Sequence, residues 1–140
     1  MRIMALDVGD SRIGVALSDP TEMLATPLTI IKRGGESADV KIISNLVGQH
    51  HVGKLLIGLP LSLSGDVGVQ AQKVKAFADV LVKSLSIPFA FVDESFSTVT
   101  AREYMSETGR REDRFKKRDD AVAAAVILQS YLEDASARNG

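Results

Sequence analysis

The stretch Arg2-Ile-Met-Ala-Leu-Asp7-Val-Gly9-Asp10-Ser-Arg12-Ile-Gly-Val-Ala-Leu17 decides how the rest of the chain is read. Its pattern is that of a buried strand, a tight turn and a returning strand. One carboxylate, Asp7, stands near the end of the first strand in an otherwise apolar run. Period-two alternation puts it on the face of Ile3 and Ala5, away from Arg2. A desolvated carboxylate costs several kcal/mol unless a cation meets it, so the position calls for a reason. Gly9 then lets the chain turn and lets another backbone or a ligand come close. A turn aspartate bonding its own backbone is the ordinary alternative. Other acids arriving at the same place would decide between the two.

Downstream, Ser18-Asp-Pro-Thr-Glu22 is a turn-rich link into a short β-branched strand, Thr26 to Ile31. Pro27 near its start suggests an edge position or a strand beginning. Ser37 reads as the N-cap of a helix whose apolar positions Val40, Ile43, Leu46 and Val47 recur at helical spacing to about His50. Leu55-Leu-Ile-Gly-Leu59 is a continuous apolar run, as in a strand covered on both faces, and it leads into the loop Gly58 to Gly65. A second helix spans Val69 to Leu85 with Val74, Phe77, Leu81 and Leu85 as its stripe. Ile87 to Val92 is a fifth strand ending in Asp93-Glu94, and Ser97 caps a third helix ending at Gly109. After a charged loop, an alanine-rich helix runs from Asp119 to about Asp134.

Short sequential links favour an antiparallel meander for the first three strands. Helical crossovers make the later strands parallel and put helices on both faces. The expected fold is therefore a mixed five-stranded α/β sheet in one domain, residues 1–140. At 140 residues with 45% hydrophobic and 25% charged side chains, the balance is that of an ordinary globular chain. Seventeen basic against eighteen acidic residues name no partner by global charge, and the absence of cysteine excludes disulfides and thiolate chemistry. No charged-then-apolar leader and no apolar run of membrane-spanning length are seen, so a cytoplasmic protein is expected.

Binding sites of open α/β sheets lie at the carboxyl ends of the strands. Asp7, the Gly58 loop and Asp93-Glu94 should meet there, and alternation does not choose between Asp93 and Glu94, since both faces of that strand are apolar. The last helix brings a third acid. From Asp120, steps of three and four lead through Ala124, Ile127, Leu128 and Tyr131, a buried lane. From Asp119 they lead through Ala123, Val126 and Ser130 to Glu133 and Asp134, a lane that drifts into solvent. Asp120 is thus expected to face the sheet while Asp119 caps the helix. Converging acids without a matching cationic cluster repel each other, and a hard divalent cation such as Mg²⁺ or Mn²⁺ relieves that. Acid-only sites of this type serve phosphodiester hydrolysis, with two ions flanking the reacting phosphate.

Asp7-Val-Gly with Arg12-Ile-Gly-Val-Ala, Gly58-Leu-Pro-Leu-Ser-Leu-Ser-Gly65, Asp93-Glu-Ser-Phe-Ser-Thr-Val-Thr-Ala-Arg102, and Asp120-Ala-Val-Ala-Ala with Ile127-Leu resemble the YqgF family. These are ribonuclease H-like nucleases similar to the Holliday-junction resolvase RuvC, and the four motifs fall in order along the whole chain. The resemblance implies the ribonuclease H fold, Asp7, Glu94 and Asp120 as catalytic and metal-binding acids, and maturation of the 5′ end of small-subunit ribosomal RNA. Ser95 stands where the family usually has arginine, Asp10-Ser11 where it usually has Thr-Lys, and Thr100 where it usually has Glu, which loses a reciprocal capping box. Those departures keep a weakly catalytic nucleic-acid-binding factor as the alternative, beside a resolvase acting on branched DNA. An actin-like ATPase, whose phosphate hairpin also reads Asp-x-Gly, would need two such domains.

The loop Arg110 to Arg118 holds six of the seventeen basic residues immediately before Asp120. Arg110, Arg111, Arg114, Lys116, Lys117 and Arg118 are read as phosphate contacts and Phe115 as a stacking platform for a base. Arg12, Ser62 and Ser64 complete the nucleic-acid-binding set. The expected partner is nucleic acid, with an RNA precursor favoured over branched DNA, and the protein is expected to be a monomer or homodimer.

Overall fold

The computed structural model describes residues 1–60, 68–93 and 119–139, with side chains described to residue 135 and from 121 in the last segment. Its strands are β1 (Arg2–Val8), β2 (Arg12–Ser18), β3 (Ala25–Lys32), β4 (Val52–Leu59) and β5 (Phe89–Asp93). Its helices are α1 (Glu36–Gln49), α2 (Val69–Lys83) and α3 (Asp119–Asn139). The sheet runs β3-β2-β1-β4-β5. β1–β2 and β2–β3 pair antiparallel, while β1–β4 and β4–β5 pair parallel. That is the mixed five-stranded sheet expected from the link lengths, and Pro27 does sit on an edge strand.

Side-chain alternation divides the sheet between two unlike layers. On one side Met4, Leu6, Val8, Ile13, Val15, Leu55 and Ile57 pack against Val40, Ile43 and Val47 of α1 and Val74, Phe77 and Leu81 of α2. On the other side Ile3, Ala5, Ala16, Ala25 and Leu56 pack against Ala124, Ala125, Leu128 and Leu132 of α3. Small residues on both partners of this second layer let α3 lie close against the sheet.

Several boundaries move for local reasons. Helix α1 begins at Glu36 with Gly35 as its N-cap at φ 117°, rather than at Ser37. A cap at Ser37, two residues later, would have relied on its hydroxyl; here the Asp39 carboxylate, in the first turn, accepts from the Gly34 N–H at 3.0 Å instead. Helix α2 stops at Lys83, and β5 begins at Phe89, leaving Ile87 and Pro88 outside it. Helix α3 continues past Asp134 to Asn139. The helix expected over 97–109 lies outside the described residues. No described helix is long and apolar enough to cross a membrane.

Candidate active site

Asp7 is half-buried and lies one residue from the end of β1. Ile3 and Ala5 belong to the α3-side layer, so alternation puts Asp7 on that side as well. Directly opposite it in β2 is Gly14. On the β4 flank the pairing Leu6↔Ile57 makes Gly58 the next step in register. Glycine on both neighbouring strands removes side chains from beside the carboxylate, which leaves it accessible to a ligand. Asp7 makes no ion pair or side-chain hydrogen bond among the described residues.

The turn after Asp7 is held firmly. The Gly9 N–H donates to the Arg12 carbonyl at 2.8 Å, and a Cβ on Gly9 would lie only 2.9 Å from that oxygen. The Arg33 N–H donates to the Ser11 carbonyl at 3.0 Å. Arg33 Nη1 donates to the Gly9 carbonyl at 3.0 Å, and its Nε meets Asp39 Oδ2 at 3.1 Å. The guanidinium also lies 4.9 Å from the Phe77 ring centroid. Asp39 is wholly buried, so one arginine ties the turn to both α1 and α2. Neither residue was identified from sequence, although Asp39 shares the helical lane of Ile43 and Leu46, and an acid in an apolar lane implies a buried partner.

Helix α3 runs the length of the sheet with its start toward Asp7. Its distal part is anchored at the opposite end. Lys54, opposite Ile3 in the register, donates to the Tyr131 hydroxyl and lies 4.8 Å from that ring's centroid. Gln129 Oε1 accepts from the Ala25 N–H at 2.9 Å, and its Nε2 donates to the Met23 carbonyl at 3.3 Å. From Tyr131 back to position 120 the helix climbs roughly 16 Å. From Ile3 to Asp7 the strand climbs roughly 13 Å in the same sense. The backbone at 120 therefore reaches the level of Asp7. The lane it heads, Ala124, Leu128 and Tyr131, is the sheet-facing one. The lane that continues from position 119 passes the buried Val126 and the half-buried Ser130 and drifts into solvent at Glu133 and Asp134, as expected.

At the end of β5, packing tells the two faces of the strand apart. Ala90 and Val92 lie against the α3-side layer, so Phe89, Phe91 and Asp93 share the other side. Asp93 is thereby taken out of the Asp7 face. Phe89 and Phe91 form an edge-to-face pair at 5.8 Å and are 39% and 36% exposed, so this edge strand, apolar on both faces, is only partly covered on one of them. Glu94, Ser62, Ser64 and the whole basic loop, Arg110, Arg111, Arg114, Phe115, Lys116, Lys117 and Arg118, lie outside the described residues, as does the side chain of Asp120. Among the described residues no three His, Asp or Glu side chains cluster as metal ligands. The donor chemistry nevertheless suits a hard cation: a half-buried carboxylate, unanswered by any described Lys or Arg, between two glycines.

The chain matches the RuvX family, described as a Holliday junction resolvase, over residues 1–134. The chain belongs to this family. A protein of Roseiflexus sp. named "Putative pre-16S rRNA nuclease" is 47% identical over 132 residues, 94% of this chain and 94% of its own length. One of the same name from Dehalococcoides mccartyi is 50% identical, covering 91% of this chain and 94% of its own. In structure the RuvX chain is similar to T. thermophilus RuvC in complex with a Holliday junction substrate, with TM-score 0.58 and 11% identity over 95% of this chain and 96% of that one. Fowlpox virus resolvase bound to Holliday junction DNA gives 0.56 at 14% identity, over 96% of this chain and 99% of that one. These two likenesses establish the RuvC-like ribonuclease H fold. Membership of the RuvX family makes the chain a nuclease, a hydrolase of phosphodiester bonds.

Proposed function

We propose that this RuvX-family nuclease is metal-dependent and trims the 5′ end of pre-16S rRNA during ribosome assembly in the cytoplasm, acting as a single unit over residues 1–140, either alone or as a homodimer. The observation that carries the metal reading is Asp7: a half-buried acid on the α3 face, at the carboxyl edge of the sheet, with no cationic partner among the described residues. Glu94 follows Asp93, whose side of the sheet is the wrong one, and continued alternation would bring Glu94 to the Asp7 face. Asp120 heads the sheet-facing lane of α3 at the same level. These three acids would hold Mg²⁺ or Mn²⁺, two ions in all. A bound ion of this kind lowers the pKa of an attacking water and steadies charge on the phosphate. The chain's own contribution is to fix Asp7 on β1 and Asp120 on α3, with Glu94 following β5, and to receive the substrate backbone. Arg110, Arg111, Arg114, Lys116, Lys117 and Arg118 would neutralise phosphates beside Asp120, Phe115 would stack on a base, and Ser62 or Ser64 would donate to a phosphate oxygen. The relatives' names favour an RNA precursor. The family's description favours a four-way DNA junction as the second reading.

A cleavage panel tests this. Labelled RNA carrying the 16S leader junction, single-stranded DNA and a four-way junction are incubated with Mg²⁺, Mn²⁺ or EDTA. The leader should be cut in either metal, not in EDTA, and Asp7→Asn should lower the rate by at least about 100-fold. Cutting of the junction alone would select the resolvase reading. Full activity in Asp7→Asn or in EDTA would overturn the metal site.

A further inference from the structure

On the Asp7 face two cations stand without an acidic partner among the described residues. Arg12 and Lys32 are paired across β2 and β3, and both are exposed. Their neighbours in that register, Ile13 and Ile31, point into the α1–α2 layer. Arg12 and Lys32 therefore share the opposite side, that of Gly14 and Asp7. The next residue, Arg33, has the other parity and is consumed by Asp39. Asp10, the acid in the adjoining turn, lies 3.7 Å from Lys73 of α2. Arg12 and Lys32 have no salt bridge among the described residues. Like charges directly opposite each other across an antiparallel pair are unfavourable, so an anion bound between them relieves the pair.

We infer that Arg12 and Lys32 form a phosphate platform that holds the substrate's backbone on the β2–β3 flank of the site, on the side away from β4 and β5. The inference rests on the nucleic-acid reading of the Asp7 face. With strands about 4.8 Å apart and about 3.4 Å per residue, the two Cα positions lie roughly 8 and 12 Å from that of Asp7. This places the platform within a few nucleotides of the phosphate held at Asp7. The platform thus fixes which way the substrate runs across the sheet. Being a backbone contact, it orients the strand without reading its sequence.

The test is equilibrium binding of fluorescent single-stranded RNA in EDTA, read by anisotropy between about 50 and 200 mM salt. Arg12→Ala and Lys32→Ala should each reduce the log–log salt slope by about 0.7, and the double variant by about 1.4. Lys32→Arg should keep the slope, as should Lys41→Ala on the exposed part of α1. Circular dichroism verifies that each variant is folded. Oligomers shortened by three or four nucleotides at one end should bind wild type and double variant alike, whereas shortening the other end should preserve the difference. Unchanged slopes in the double variant, no RNA binding by wild type, or a difference that survives both shortenings would overturn the platform. Binding that behaves as described without cleavage in Mg²⁺ or Mn²⁺ would leave the platform standing and remove the nuclease reading instead. Cleavage with unchanged slopes would remove the platform alone.

Discussion

Two aspartates on opposite faces of one sheet are treated in opposite ways. Asp39, wholly buried on the α1–α2 side, meets Arg33 at 3.1 Å and accepts the Gly34 N–H. Asp7, half-buried on the α3 side, meets no described cation and is flanked by Gly14. An acid that serves the fold brings its own counter-charge, because an uncompensated buried charge is costly. An acid that serves a ligand leaves that place open. The layers on the two sides differ as well: large side chains fill the α1–α2 side, while the α3 side mixes leucine and isoleucine with five alanines.

The comparison can be broken most forcefully at Arg33. Arg33→Ala strands Asp39 as a buried, unpaired charge and should cost about 3–5 kcal/mol. At this chain length that lowers Tm by on the order of 10 °C, read by calorimetry. The double variant Arg33→Met/Asp39→Leu should recover much of the loss, because no charge is then left without a partner. A small effect of Arg33→Ala would mean that Asp39 does not depend on its counter-charge, and the contrast with Asp7 would fail.

A smaller effect is expected at Gly9. The Cβ of Gly9→Ala would come within 2.9 Å of the Arg12 carbonyl, a backbone atom that cannot swing aside. The turn should shift at a cost of about 1–3 kcal/mol. Because that turn carries Asp7 and Arg12, cleavage and RNA affinity should fall further than the melting temperature alone accounts for. Loss of stability with unchanged kinetics would separate the turn from the site.

The weakest expected effect concerns the loop at the far end of the sheet, which sharpens the contrast by showing an acid satisfied by the backbone. Asp19 accepts from the Leu24 and Met23 N–H groups at 2.8 Å and from the Thr21 N–H and hydroxyl. Led by the Leu24 bond, these hold its carboxyl well below the usual value of 3.8. A depressed carboxyl contributes stability above its unfolded pKa, and that contribution is lost as pH falls through the folded value. Amide protection at Met23 and Leu24 should therefore be full at neutral pH and decline below about pH 4. In Asp19→Ala it should be weak at every pH. Protection in that variant equal to wild type would show that the loop is held by Gln129 alone.

Much of this was legible from residues alone, where one-dimensional pattern maps directly onto geometry. The short links around Asp10 and Asp19 point to a meander, the long apolar run at Leu55 points to a strand covered on both faces, and the lane of Ala124 and Leu128 is the lane that meets the sheet. What pattern could not supply was pairing through space. Arg33 and Asp39 look like solvated loop and helix-start charges until the fold brings Phe77 and the Gly9 carbonyl to the same guanidinium. The choice against Asp93 likewise needed the third dimension, since both sides of β5 are apolar and only packing shows that Ala90 and Val92 face α3.

The most direct test of the account is thermal melting of wild type and Asp7→Asn with and without Mn²⁺. An ion held by Asp7 should stabilise wild type by about 2.7 kcal/mol at a hundredfold excess over its dissociation constant. Asp7→Asn, which removes a charge while nearly keeping the side chain's shape, should melt no lower than wild type in EDTA and lose most of the Mn²⁺ response. Glu133→Gln, on the exposed part of α3, should alter neither quantity. If Asp7→Asn instead melts lower in EDTA and still responds to Mn²⁺ as wild type does, Asp7 is a structural turn residue and no metal site is built around it.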